Sequence, residues 1–291
     1  LAARPDGGVL AREMKGTLRV ARHEMLRGLL SLRSGAIFAM LMLLTVGGAY
    51  GVSELYKGDL LKTIDTRVYA TPDTVLFLIS AYTALIVPIG AVVLSFDALA
   101  YERSKGTMAL LLVKPFSRES LALGKFLGAL ATMSVHITVC SVVAIGMIAY
   151  IAGSSPSLLN SVLFIVMSIM LAGTYIGITM AASVMARQQA DAVMAGVAVW
   201  LVFTVFWLLL PMGVAFAMHW KYDVNDPRYL AFSNRADAFN PNGVYNLCLA
   251  SSSGNGFITT GVPPVLQALS VMLWFFIPLI VFIVAFGRSE G

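Results

Sequence analysis

Six long apolar stretches, separated by short polar breaks, dominate the pattern of this chain. They run roughly over 35–52, 74–97, 123–152, 159–186, 191–218 and 265–286. Each is continuously apolar and does not alternate with period two, and about 20 apolar residues of helix cross a hydrocarbon core. Membrane-spanning helices are therefore expected, and a barrel is not.

Ahead of the first stretch, residues 10–34 follow a different pattern. Leu10, Met14, Leu18, Ala21, Met25, Leu29 and Leu32 recur at spacings of three and four. At 100° per residue they form one stripe about 100° wide. Arg12, Lys15, Arg19, Arg22 and Arg33 fall on the other side. A basic amphipathic helix in the inner interface is the expectation. It reads either as a lipid anchor alone or as an elbow that also touches a cytoplasmic partner. Arg19, Arg22 and Met25 are its candidate residues. The chain divides accordingly into 1–34 and a transmembrane domain over 35–291.

Two connections stand out. The first is a polar island within a cytoplasmic loop, 98–122, which follows Asp97 at the inner end of span two. Gly106-Thr107 opens a short apolar run over 108–113, and Pro115 ends it, because proline disfavours helix in the residue before it. Ser117 is then a good N-cap, Glu119 falls in the first turn, and Phe116 and Leu121 occupy the positions of a hydrophobic staple. An apolar run such as Met108, Leu110, Leu111, Leu112 and Val113 in a loop needs cover from protein or lipid.

The second connection is a long segment over 219–264. It contains Asp226-Pro227, Asn240-Pro241-Asn242-Gly243 and Pro263-Pro264, with helix-capable pieces at 228–238 and 243–250. Its aromatic content suits a membrane face. It reads as short re-entrant or surface-lying helices forming an outer lid, or as interfacial packing with no gate. Within the spans, Pro88 and Gly90 predict a kink in span two. Gly124/Gly128 and Gly173/Gly177 have the spacing for close helix approach. Thr71-Pro72-Asp73 marks a helix start, and 187–191 makes a very short inner turn.

Composition agrees with a multi-pass membrane protein. The chain of 291 residues is 58% hydrophobic and 12% charged, with mean hydropathy +0.83; soluble domains carry about 25% charged residues. No secretory signal peptide is expected, because the first 34 residues are too charged. Positive charge gathers on one side: Arg4 to Arg33, then Arg103, Lys105, Lys114, Arg118, Lys125, Arg187 and Arg288. Lys57, Lys62, Arg67, Lys221, Arg228 and Arg235 are on the other. The positive-inside rule puts both termini in the cytoplasm, at an inner or plasma membrane. The basic balance is thus topology, and no nucleic-acid partner is expected.

Chemistry-bearing motifs are sparse. There is no phosphate-binding Gly-rich loop with Lys and Ser/Thr, no His-Glu-x-x-His and no Gly-x-Ser-x-Gly. Cys140 and Cys248, one in a span and one in a loop, do not suggest a disulfide. The 15 methionines are scattered and read as packing. No enzyme activity, metal or cofactor is expected in this chain. Asp97 reads as a proton or ion site or, in preference, as an interfacial acid capped by nearby basic residues, and His136 as a proton-relay group or, in preference, as a hydrogen-bonded packing residue. They keep open a proton-coupled secondary transporter, although such proteins usually carry internal repeats and none is evident.

The island carries a resemblance. Glu102-Arg103-Ser104-Lys105-Gly106-Thr107, the Leu-rich turn, Lys114-Pro115-Phe116-Ser117-Arg118 and then Leu123-Gly124-Lys125-Phe126-Leu127-Gly128 resemble the signature of type-2 ABC transporter permeases. Leu94-Ser95-Phe96-Asp97-Ala98 and Phe239-Asn240-Pro241-Asn242-Gly243-Val244-Tyr245 are similar to members of that family. The resemblance implies an all-α polytopic fold of six transmembrane helices with an N-terminal elbow helix. It implies a homodimer bound to two cytoplasmic ABC ATPase subunits, which hold the ATP and Mg, and an exporter or a transmitter of conformational signals. Residues 106–115 would be a coupling helix. Glu102, Arg103, Gly106, Thr107, Met108, Leu110, Leu111, Lys114 and Pro115 would contact the ATPase. Spans two and five would line the path, with Asp97, Asn240 and Pro241 as pathway or gate. Membrane lipid would surround the spans, and an extracytoplasmic partner protein would dock on 219–264.

Overall fold

The computed structural model describes residues 7–58, 71–96, 117–186, 188–220, 226–253 and 261–288, with backbone alone for 7–12 and 189. The island over 97–116 lies outside the described residues. So do Asp97 and all nine expected ATPase-contacting residues. Every regular element described is helical.

The helices are α1 (Gly7–Leu29), α2 (Leu32–Lys57), α3 (Pro72–Ser95), α4 (Arg118–Ala152), α5 (Leu158–Met185), α6 (Gln189–Leu201), α7 (Trp207–Ala217), α8 (Pro227–Asp237), α9 (Pro241–Ser252) and α10 (Pro264–Arg288). Five are long and apolar enough to cross a membrane. The sixth crossing, Ala190–Ala217, joins α6 and α7 through a π-helical stretch, Val202–Phe206. These spans match the six expected stretches; each starts one to five residues earlier, and the far ends fall within five residues of those expected.

Local chemistry sets the boundaries. The amphipathic pattern predicted one helix over 10–34, but α1 stops at Leu29. Ser31 makes the break by doing two jobs. Its hydroxyl donates to the Gly28 carbonyl (2.8 Å) and accepts from the Ser34 amide, capping α2. Thr71 caps α3 in a capping box with Thr74, and Pro72 follows at the first turn. Helix α3 stays continuous through Pro88 and Gly90. Gly90 has a packing reason: a Cβ there would stand 2.9 Å from Ile37 Cγ2 and 3.3 Å from Met133 Cε. Gly153, at φ +72°, ends α4 in the left-handed conformation that glycine adopts at least cost.

Helix α5 is the hub, packed against α3, α4, α6, α9 and α10. Its buried side includes Phe164, Tyr175 and Ile176. The two small-residue pairs lie where helices cross. Gly173 and Gly177 receive Phe275 and Pro278 of α10, while Gly124 and Gly128 of α4 receive α1. The fifth span is the exception in burial. Only 6% of its most apolar stretch is buried, against 67% for α3. Its outer face, with Val202, Val205, Phe206 and Leu209 exposed, has no cover among the described residues.

Candidate functional site

Two places, one at the start of α4 and one midway along the fifth span, are built with more polar chemistry than packing requires. The first is where the island re-enters the fold. Ser117 caps α4 by accepting from the Ser120 amide at 3.1 Å, as its sequence position predicts. The structure adds Glu13 of α1. Its carboxylate accepts from the Ser117 amide (3.3 Å), the Ser117 hydroxyl (2.5 Å) and the Ser120 hydroxyl. It also lies at the positive end of the α4 dipole. Hydrogen bonds from the Ser117 hydroxyl, then from Ser120, hold the Glu13 carboxyl below its ordinary pKa.

Beyond that clamp α1 and α4 run parallel in contact for four turns. A Cβ at Gly124 would stand 2.8 Å from Val20 Cβ. One at Gly128 would be 2.5 Å from Glu24 Cβ and 2.9 Å from the Ala21 carbonyl oxygen. Thr132 abuts Gly28 further up. Lys125 is only 4% exposed and lies 3.6 Å from the Glu24 carboxylate. Lys125 is the buried partner and Glu24 is 29% exposed, so sliding would strand the lysine charge and one register is favoured.

This seam changes the expected reading of α1. The side facing α4 is made of Thr17, Val20, Ala21, Glu24 and Gly28, a stripe of mainly small residues beside the apolar one. Met14 and Leu18 of the expected apolar stripe remain 62% and 58% exposed. Among the elbow candidates, Met25 is half-buried near Gly128, while Arg19 and Arg22 are exposed on another face.

The second place lies in the 219–264 segment, where α8 and α9 form a helical hairpin. Asp226 and Asn240 cap them, and Pro227 and Pro241 occupy the first turn of each. Their bounds sharpen the pieces expected at 228–238 and 243–250, and Cys248, expected in a loop, belongs to α9. Helix α9 runs antiparallel to α5. The Tyr175 hydroxyl donates to Asn242 Oδ1 (3.0 Å), Tyr245 pairs with Ser168 (3.1 Å), and Leu249 and Ser252 line a crevice with Asn160 and Phe164. The α9 N-terminus therefore meets α5 about 26 Å along that helix from Leu158. Asn242 Nδ2 donates to Thr204 Oγ1 (2.8 Å), and Asn240 Nδ2 donates to the Phe203 carbonyl (2.8 Å). Both partners lie in the π-helical stretch, midway along the span Ala190–Ala217.

The α9 N-terminus thus reaches the middle of the fifth span, held between it and α5. Backbone at membrane depth must have its polar groups satisfied from within the protein. Here Asn240 Oδ1 accepts from the Asn242 amide (2.9 Å) and proline removes one donor. The π-helical stretch offers its Phe203 carbonyl sideways to Asn240. At the hairpin turn, a Cβ on Gly243 would stand 2.5 Å from the Asp237 carbonyl oxygen, so the turn closes only around glycine. Asn240 and Pro241 are both buried here, at the contact between hairpin and fifth span.

His136 lies between α2 and α4, within 3.2 Å of the Ser34 hydroxyl and 5.3 Å from the Phe38 ring. Its Nε2 is hydrogen-bonded, and its Nδ1 is buried with no hydrogen-bond partner among the described residues. Sequence reasoning passed over Glu13, Tyr175, Thr204 and Asn242 as site residues. Only the Asn-Pro-Asn-Gly run signalled the last. Pro211 in the fifth span was a usable hint of helical irregularity nearby.

Residues 18–290 match the family described as ABC-2 family transporter protein. The chain is also 24% identical over 286 residues to a "Probable ABC transporter permease protein NosY" of Stutzerimonas stutzeri. The alignment covers 94% of this chain and 99% of that one. Six apolar helices, the island's signature residues and a family match over nearly the whole length converge: this chain belongs to the ABC-2 transporter family and is its multi-pass membrane permease component.

Proposed function

We propose that this permease couples ATP hydrolysis in a separate ABC ATPase to movement of its spans, for substrate export or for signalling across the membrane. The end carrying α1 and the start of α4 faces the cytoplasm, and the ATPase grips residues 106–115. The observation that carries the reading is the Glu13 clamp. The residue at which the island re-enters the bundle is hydrogen-bonded to α1 as well as capping α4. A force on the island would move α1 and α4 as one body and would not be lost in a swinging connection.

The fifth span and the hairpin form the responding end. The Trp200 indole donates to the Leu85 carbonyl of α3 (3.2 Å), which puts spans two and five side by side with Tyr82 and Leu85 exposed next to them. Two copies meet along this uncovered face and enclose the path between them. The Asn240/Asn242 contact with the π-helical stretch is the gate latch, and its release lets the fifth span straighten or rotate. An extracytoplasmic partner would engage the hairpin side.

The test is Leu111→Asp in the full chain, co-expressed with the ATPase. A charge in a buried apolar contact should abolish co-purification while leaving membrane insertion intact. Unchanged ATPase recovery would refute the coupling assignment. Lys114→Glu, a rim charge, should weaken recovery less.

A further inference from the structure

The side of α1 turned away from α4 carries a feature that coupling does not use. Arg19, Arg22, His23, Leu26, Arg27 and Leu30, all on one face of α1 and its end, are the described lining of an open surface groove of about 510 Å³. No acidic residue is among its described lining. Leu26 is 45% exposed and Leu30 88% exposed, so the apolar part of the wall is bare.

The order of these residues along the helix is informative. Arg19, Arg22 and His23 come first, Leu26 and Arg27 follow side by side, and Leu30 comes last, 11 residues or about 16 Å beyond Arg19. Just past Leu30 the chain turns at Ser31 into α2, a membrane span. The cationic end is therefore the one further from the hydrocarbon, and the leucine end is nearer to it. A soluble phosphate would satisfy the arginines and leave the leucines bare. An acidic protein surface would do the same. A molecule with an anionic head and an acyl tail fits both ends in the right order. We infer that this face of α1 is a binding site for an anionic phospholipid, with the headgroup phosphate on Arg19, Arg22, His23 and Arg27 and an acyl chain over Leu26 and Leu30. Basic pockets beside membrane helices bind anionic lipid headgroups in this way. The site requires only that the chain is embedded in a membrane, so it stands or falls independently of ATPase coupling.

The experiment is native mass spectrometry of the detergent-purified full chain, titrated with dioleoyl phosphatidylglycerol or dioleoyl phosphatidylcholine. The wild-type chain should retain the glycerol lipid preferentially. Each basic side chain near a lipid headgroup contributes on the order of 1 kcal/mol, so the combined Arg19→Gln, Arg22→Gln, Arg27→Gln variant should bind it about 100-fold more weakly. The matching triple Lys variant keeps the charge and should retain binding, which separates loss of the site from loss of the fold. Leu30→Ser should also weaken retention, and millimolar inorganic phosphate should not displace the lipid. Equal retention of both lipids, or a Gln variant that binds like wild type, would overturn the assignment. Displacement by phosphate would mark an ion site instead. A Gln variant that keeps lipid but loses the ATPase would mark a protein-docking face, and the proposal would fall.

Discussion

Glu13 and Asn242 do the finest work at the residue scale, and their chemistry makes different predictions. Glu13 acts as a carboxylate acceptor, and its folded pKa is depressed by the Ser117 and Ser120 hydroxyls. A group of this kind stabilises the fold fully above its unfolded pKa, and the contribution is lost as pH falls through the folded value. The clamp is thus intact at neutral pH and fails only in acid below the usual carboxylate range. Glu13→Gln should lower the thermal midpoint at pH 7 and remove this part of the acid dependence; differential scanning fluorimetry from pH 3 to 7 checks both. Superimposable wild-type and variant profiles would contradict the clamp. Asn242→Leu removes one hydrogen-bond partner from the buried Tyr175 hydroxyl and one from the half-buried Thr204 hydroxyl, and should cost about 1 kcal/mol of stability. A near-neutral effect in a denaturation series would mean the latch is not a buried network. Neither residue was legible as functional beforehand. Glu13 has no motif and gains its meaning from a partner 104 positions away. Asn242 sat in a visible turn signal, but its partners on α5 and the fifth span did not.

At the element scale, the sequence pattern located the spans, the N-cap at Ser117, the start at Thr71 and both small-residue crossings. These depend on hydropathy and short-range chemistry, which a single chain displays directly. What it did not display was which helix each pair of glycines would receive. The Gly124/Gly128 face accepts α1, a non-spanning helix, and α1 turns a small-residue stripe inward in place of its apolar one. Periodicity detects an apolar face, but close approach selects a small one. Gly128→Val should therefore be among the most damaging single changes. Its side chain would meet Glu24 and the Ala21 carbonyl, and overpacking at such a contact costs typically 1–3 kcal/mol. Protease accessibility of α1 should rise in this variant and stay unchanged in Gly146→Val, because nothing lies within 4 Å of a Cβ at Gly146. The π-helical stretch belongs to the same class of missed features. Its widened turn is fixed by tertiary hydrogen bonds to Asn240 and Asn242, which no local propensity encodes.

On the scale of the whole molecule, the two polar constellations are joined by the long helices between them. Helix α4 is 35 residues, about 52 Å, and extends well beyond a hydrocarbon core of about 30 Å. It runs from the Glu13 clamp to the far end, packing against α5 on the way, and α5 carries Tyr175 and Ser168 to the hairpin. A displacement at the island thus has a rigid, continuous route to the fifth span. In the proposed function, the face of that span left exposed among the described residues is where a second copy would close the path.

The most direct test is to co-express the chain with its ATPase, isolate the complex in nanodiscs, and determine its mass and its ATP hydrolysis rate. The account predicts two permeases with two ATPases, and a hydrolysis rate that changes when the permease is present and reverts when Leu111→Asp breaks the contact. A permease that purifies without any ATPase, or one that leaves the hydrolysis rate unaltered, would contradict it and return His136 and Asp97 to the front as proton-coupling groups.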